Sequence, residues 1–171
     1  MLNSAAVFAR RKGLMKLRYV ALVGLGLLSF GCSSSRIKPF EVYSPDGKTT
    51  YDSDSLRGRV VMIDYWATWC QPCHVLQPSI RSISDKYGPR GLVVLGVSNE
   101  APKTVAEYVR KSPLGYTAAM DRGDQVGNQF NVRGLPTIII IDKDGSLVYN
   151  STVPELKDIT STLDRLLPEK S

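Results

Sequence analysis

The 171-residue chain is poor in residues that hold metals and prosthetic groups: it has one histidine, His74, and three cysteines, Cys32, Cys70 and Cys73. Two cysteines and an adjacent histidine do not supply the closed four-ligand set of a structural zinc site, so no metal is expected. Acidic residues are missing altogether before Cys32, although that stretch holds five of the 22 lysines and arginines. From Cys32 onward, 17 basic residues face 16 acidic ones, so the formal charge of +6 falls to +1 and the basic excess belongs to the leader. The charge argument for a nucleic-acid partner disappears with it. The leader also lacks a membrane-length apolar run, because Tyr19 to Phe30 falls well short of the roughly 20 residues a span needs. Internal repeats and low-complexity tracts are absent.

What the leader does have is the order of an export signal: a basic segment to Arg18, an apolar stretch to Phe30, then Gly31-Cys32 and three serines. A start at Met15 instead of Met1 would leave a compact version of it. Leu28-Ser29-Phe30-Gly31-Cys32 resembles a bacterial lipoprotein cleavage box, which would make Cys32 the lipidated first residue of the mature protein. The expected organisation is a signal peptide over 1–31, a lipidated cysteine with a polar tether over 32–38, and one folded domain over 39–168. With Cys32 consumed by lipid, Cys70 and Cys73 remain as the one available disulfide. A bond closing so short a loop removes little chain entropy, so it reads as functional rather than as a staple.

Along the domain, Phe40 to Tyr43 and Thr49 to Tyr51 flank the turn Pro45-Asp46-Gly47 as a hairpin. Asp54 to Leu56 reads as a short helical turn. Val60 to Tyr65 is nearly continuous and apolar, the signature of a central buried strand. A helix from about Cys73 to Tyr87 follows, with Val75, Leu76, Ile80 and Ile83 on its inner face and Gly88-Pro89 ending it. Leu92 to Val97 is a second buried strand, completing a βαβ unit with a parallel pair. Pro102 opens a helix to about Lys111. Tyr116 to Met120 reads as a strand, Asp124 to Phe130 as a short helix, and Thr137 to Ile141 with Ser146 to Tyr149 as a hairpin. Glu155 to Leu167 carries a helical apolar stripe that would cover one sheet face.

The pattern Trp66-Ala67-Thr68-Trp69-Cys70-Gln71-Pro72-Cys73-His74 sits where strand gives way to helix. The helix N-terminus, with its unpaired N–H groups, favours a negatively charged sulfur, and the spacing lets the two sulfurs bond across one turn. Reversible dithiol–disulfide chemistry is the expectation.

"LRGRVVMIDYWATWCQPC" from Leu56 to Cys73, Pro78 beyond it, and "GLPT" from Gly134 to Thr137 together resemble the thioredoxin superfamily, and within it the membrane-tethered TlpA/ResA-like oxidoreductases. The resemblance covers about Phe40 to Leu167. It implies an α/β, thioredoxin-like fold: a central mixed sheet flanked by helices, with an N-terminal β-hairpin and a central αβ insertion. It assigns Cys70 as the exposed nucleophile and Cys73 as the buried resolving thiol. Asp64, six residues before Cys70, matches the buried acid that accepts the Cys73 proton, and Glu100 is a candidate second acid. Pro136 matches the cis-proline whose preceding residue, Leu135, offers its backbone to an extended partner chain. Trp69 is expected on the rim of that surface and Trp66 in the packing.

The implied function is exchange of a Cys-x-x-Cys disulfide with partner proteins on the extracytoplasmic side of a bacterial envelope, as a reductant, with no cofactor beyond the Cys70–Cys73 pair. Partners would be protein thiols and disulfides, apocytochrome c in cytochrome c maturation among them, with electrons from an upstream membrane thiol–disulfide donor. Three other readings of the motif compete with this one. Cys70-Gln71-Pro72-Cys73-His74 is literally a c-type haem attachment motif with His74 as axial ligand, but haem attachment does not need the buried strand before it or a matching Pro136 loop; here His74 is expected to be an exposed surface residue. A peroxiredoxin would have Thr or Ser three residues before its reactive cysteine and Pro seven before, where this chain has Ala67 and Ile63. A redox-inert binding module would not need both cysteines.

Overall fold

A computed structural model describes residues 36–169; the leader, Cys32 and the start of the tether lie outside the described residues. The elements are β1 (Glu41–Tyr43), β2 (Thr50–Asp52), β3 (Val60–Tyr65), α1 (Gln71–Tyr87), β4 (Leu92–Ser98), α2 (Pro102–Lys111), β5 (Thr117–Met120), α3 (Gln125–Gln129), β6 (Thr137–Ile141), β7 (Leu147–Ser151) and α4 (Leu156–Leu166). They form one seven-stranded sheet in the order β2-β1-β5-β4-β3-β6-β7. The sheet is mixed: β3 runs parallel to β4 and β4 to β5, whereas β1, β6 and β7 pair antiparallel with their neighbours. This is the thioredoxin-like arrangement, with β1–β2 as the added hairpin and α2–β5 as the insertion.

The strand period of two divides the core between the faces. Val61, Ile63 and Tyr65 of β3 point to one side, where they meet Leu95, Val97, Ile139 and α3's Val126. Val60 and Met62 point to the other, against Ile80, Ile83 and Tyr87 of α1 and Ile159 and Leu163 of α4. Fully burying an aliphatic side chain of this size contributes about 1.5–3 kcal/mol, so these two helices are fixed chiefly by their apolar stripes. Asp64 has the same parity as Val60 and Met62 and therefore lies on the α1 side. A third cluster joins Trp66, Ala67, Cys70 and Cys73 to Val105 of α2 and to Leu114.

Asp54 to Leu56 forms the expected short turn, with Arg57 N–H bonded to Asp54 O and the Arg57 guanidinium bonded to Asp144 O at 2.6 Å. One local expectation changes. Val75 is not on the inner face of α1 but 80% exposed. The buried stripe runs through Leu76, Ile80, Ile83 and Tyr87, spaced four, three and four residues apart, and Val75 lies about 100° off it.

Candidate active site

β3 ends beside β4, and the chain leaves it through Trp66, whose N–H donates to Val97 O at 3.0 Å. A turn closed by Cys70 N–H on Ala67 O at 3.1 Å then brings Cys70 to the N-cap of α1. Its Sγ accepts from Cys73 N–H at 3.2 Å, and the first turn of α1 holds no acidic residue. A backbone N–H and the positive helix end are what lower a thiol's proton affinity. Cys70 and Cys73 are joined as a disulfide.

The expectation of an exposed Cys70 and a buried Cys73 is corrected in degree. Both are buried, at 3% and 1% exposure, because Ala67, Leu114 and Val105 pack against the pair. The two still differ in access: Cys70 lines a groove of about 580 Å³, shared with Tyr65, Trp69, Pro72, Val132 and Leu135, and Cys73 does not. Asn99, Asp124 and Arg133 form the polar part of that groove. Trp69 is 69% exposed on the rim and Trp66 fully buried, as expected.

The Leu135–Pro136 peptide bond is cis. Leu135 borders both the groove at Cys70 and a second one of about 480 Å³, formed by Pro72, Val75, Pro136, Val153 and Leu156. Val75 and Val153 are both more than three-quarters exposed there, so the misplaced valine of α1 belongs to an apolar surface beside the dithiol. The Thr137 hydroxyl donates to Gly134 O at 2.7 Å and closes the loop.

Glu100 sits just beyond β4 and reaches across to the active-site loop. Its carboxylate accepts from Thr68 N–H at 2.6 Å and from the Thr68 hydroxyl at 2.7 Å, with Ser98 Oγ at 3.2 Å. The residue singled out as a second acid thus holds the loop two positions before Cys70. Glu100→Ala is expected to cost about 1.5–3 kcal/mol, the range for hydrogen bonds to a charged group, and to slow disulfide exchange; Glu100→Gln should retain most of both. Urea unfolding together with exchange rates of the two variants checks this.

Asp64 is buried, and its hydrogen-bond partner is the Tyr116 hydroxyl at 2.6 Å. Burial pushes its carboxyl up to about 6, and the Tyr116 hydrogen bond acts in the opposite direction. The Tyr116 phenol is itself pushed up by burial and by the adjacent Asp64. Sequence reasoning missed Tyr116. It also missed Tyr65, whose hydroxyl donates between Asp121 at 3.0 Å and Asp124 at 2.9 Å. Asp121 in turn accepts the N–H groups of Val126 and Gly127, fixing α3 beside the groove. The apolar run of β3 is consistent with a buried Tyr65, but nothing local points to its partners. His74 is not an exposed residue: it is half-buried and stacks on Tyr108 of α2, with ring centroids 5.4 Å apart and planes 23° from parallel.

Among known proteins, the AhpC/TSA family pattern matches residues 34–150. A thiol-disulfide oxidoreductase ResA from Bacillus cereus is 32% identical over 131 residues, covering 75% of either chain. Among solved structures, a thiol:disulfide interchange protein of the thioredoxin family from Chlorobium tepidum superposes with a TM-score of 0.68 at 25% identity, covering 78% of this chain and 97% of that one. The exposed lipoprotein thioredoxin of Streptococcus pneumoniae gives 0.67 at 26% identity, covering 75% of this chain and all of the other. With a dithiol at a helix N-terminus, the thioredoxin-like sheet and these relatives together, the chain belongs to the AhpC/TSA family of the thioredoxin superfamily and is a thiol–disulfide oxidoreductase of the ResA type.

Proposed function

We propose that the protein works as an extracytoplasmic reductant of protein disulfides, held at the bacterial envelope by lipid on Cys32. The observation that carries the chemistry is Cys70 Sγ at the N-cap of α1, opening on a groove bordered by Leu135. In the reduced protein the Cys70 thiolate attacks a partner disulfide; one partner sulfur leaves as thiol, and a mixed disulfide to Cys70 remains. Cys73 loses a proton to Asp64 and attacks Cys70 Sγ, which re-forms the Cys70–Cys73 bond and releases the second partner thiol. Two electrons pass from dithiol to partner, and a membrane thiol–disulfide donor restores the dithiol. No further cofactor enters the reaction.

Trp69, Leu135 and Pro136 supply the partner surface, apolar on both sides of the cis peptide bond. An extended apocytochrome c segment bearing its own Cys-x-x-Cys disulfide is a fitting substrate, because it offers both a strand-like backbone and a target sulfur. The basic leader with Cys32 supports the location, as does a relative described as an exposed lipoprotein. No helix among the described residues is long and apolar enough to cross a membrane.

Equilibration of the full chain in dithiothreitol and glutathione buffers tests the direction. A potential near that of thioredoxin, roughly −270 mV, is expected; one near the strong periplasmic oxidants, about −120 mV, would make the protein an oxidant instead.

A further inference from the structure

Buried in the sheet, Asp64 stands opposite Gly96 on β4 and Ile138 on β6, and neither neighbour offers it a polar group. The space left by Gly96 is filled from elsewhere. A Cβ at position 96 would lie 2.8 Å from Leu114 Cδ1 and 2.9 Å from Tyr116 Cε2, so the Tyr116 ring reaches Asp64 because residue 96 has no side chain. The strand that carries Tyr116's neighbours does not hold it alone. Arg81 of α1 donates from Nε to Leu114 O at 2.9 Å and from its terminal nitrogen to Pro113 O, tying the 113–116 loop to the helix that carries both cysteines. Tyr116 packs against the cluster that contains Cys70 and Cys73.

We propose that Tyr116 is a positioning residue for the resolving step: its hydroxyl holds the Asp64 carboxylate ionised and oriented to take the proton from Cys73. The proposal rests on the reading of Asp64 as proton acceptor and deepens it. In that step the Cys73 S–H bond breaks, the proton passes to Asp64 Oδ, and the sulfur's electron pair forms the bond to Cys70 as the partner sulfur departs with its own. Tyr116 keeps its proton throughout and only shares it with Asp64. A buried carboxylate with no donor would protonate before it could act; one paired with a lysine would be too weak a base. A neutral phenol lies between the two. Tyr116 also explains how the acid manages without a cation: the one side chain that hydrogen-bonds Asp64 among the described residues is Tyr116, the charged and titratable groups that act on that phenol are Asp64 itself, Arg81 of α1 and Tyr108 of α2, and beyond them His74 of α1 stacks on Tyr108 while the two cysteines lie in the cluster against which Tyr116 packs. Arg81 lowers the Tyr116 phenol's proton affinity and Tyr108 raises it. β4 and β6 bring none at this register.

The test follows the unimolecular, second phase of glutathione disulfide reduction by the reduced full chain from pH 4.5 to 9, in rapid mixing. In the wild type its rate rises with pH along a limb set by Asp64. Tyr116→Phe, which keeps the ring and removes the donor, is expected to move the midpoint of that limb upward by about one pH unit, so that the rate well below it falls about tenfold. The shift should vanish in the Asp64→Asn background. Arg81→Gln, which releases the loop, should move the midpoint the same way by a smaller amount, and the Asp64 carboxyl-carbon NMR shift should titrate in step in both variants. An unmoved midpoint in folded Tyr116→Phe, with the limb abolished by Asp64→Asn, overturns the role of Tyr116 and leaves Asp64 as acceptor. A limb that persists in Asp64→Asn overturns both. Should Tyr116→Phe fail to fold, Arg81→Gln and its carboxyl titration decide the same point.

Discussion

Cys70→Ser removes disulfide exchange, with insulin-reduction rates falling by roughly a thousandfold or more, while Cys73→Ser stops the reaction halfway. The two outcomes differ because only one sulfur has access. Cys70 lines the groove and accepts the helical N–H of Cys73; Cys73 lies deeper, away from the groove, and can reach only Cys70. The Cys73→Ser variant should therefore accumulate covalent adducts to partner proteins that migrate as one band without reductant and split with it. Non-reducing electrophoresis after incubation with a disulfide-bonded substrate reads this directly. If Cys73→Ser turns over as fast as the wild type, or if adducts form on Cys70→Ser instead, the division of labour between the two sulfurs is wrong.

Asp64→Asn should stabilise the protein at neutral and alkaline pH. The folded-state carboxyl is raised from its ordinary 3.8 to about 6, mainly by burial. A group raised in this way stabilises the fold most below 3.8, where it is protonated with or without folding. That contribution is lost as the pH rises through about 6, where the folded protein must ionise a buried carboxyl. At about 1.4 kcal/mol per tenfold in proton affinity, the difference across that window is about 3 kcal/mol. Asparagine keeps an oxygen for the Tyr116 hydroxyl and has no charge to bury. Melting temperatures of the variant should exceed those of the wild type by several degrees at pH 8 and converge with them near pH 4. A variant that is less stable than wild type at pH 8 would mean that the ionised carboxylate is better accommodated than burial implies. The same substitution should slow the resolving step, so stability and activity move in opposite directions.

Much of this organisation is legible in the chain itself, for physical reasons that differ by element. β3 and β6 are buried at every position, so they read as nearly continuous apolar runs, interrupted in β3 by Asp64. α2 begins at Pro102 and ends at Lys111 as expected, because a proline at the first helical position leaves an unambiguous mark. The dithiol, Asp64 and Pro136 form a pattern spread over many residues, which is why it is specific. What could not be read were contacts that depend on register. That Tyr116 reaches Asp64 follows from Asp64 facing Gly96, a pairing no local signal states. Glu100 is visible as an acid beyond β4, but its grip on Thr68 is a matter of distance across the strand ends. An apolar residue such as Val75 is expected to face the core; on α1 it lies outside the stripe and faces solvent beside Pro136 instead. His74 is a case of the same kind, since its ring meets Tyr108, a residue of α2 far away in the chain.

The segment between β4 and β5 has the look of an optional insert, and its fastenings make it otherwise. Glu100 secures the loop before the dithiol, Tyr108 flanks the residue after it, and Arg81 anchors the chain that brings Tyr116 to Asp64. A loop transplant from a shorter relative would remove all three at one stroke, so this stretch and the reactive helix can be exchanged between homologues only as a single cassette.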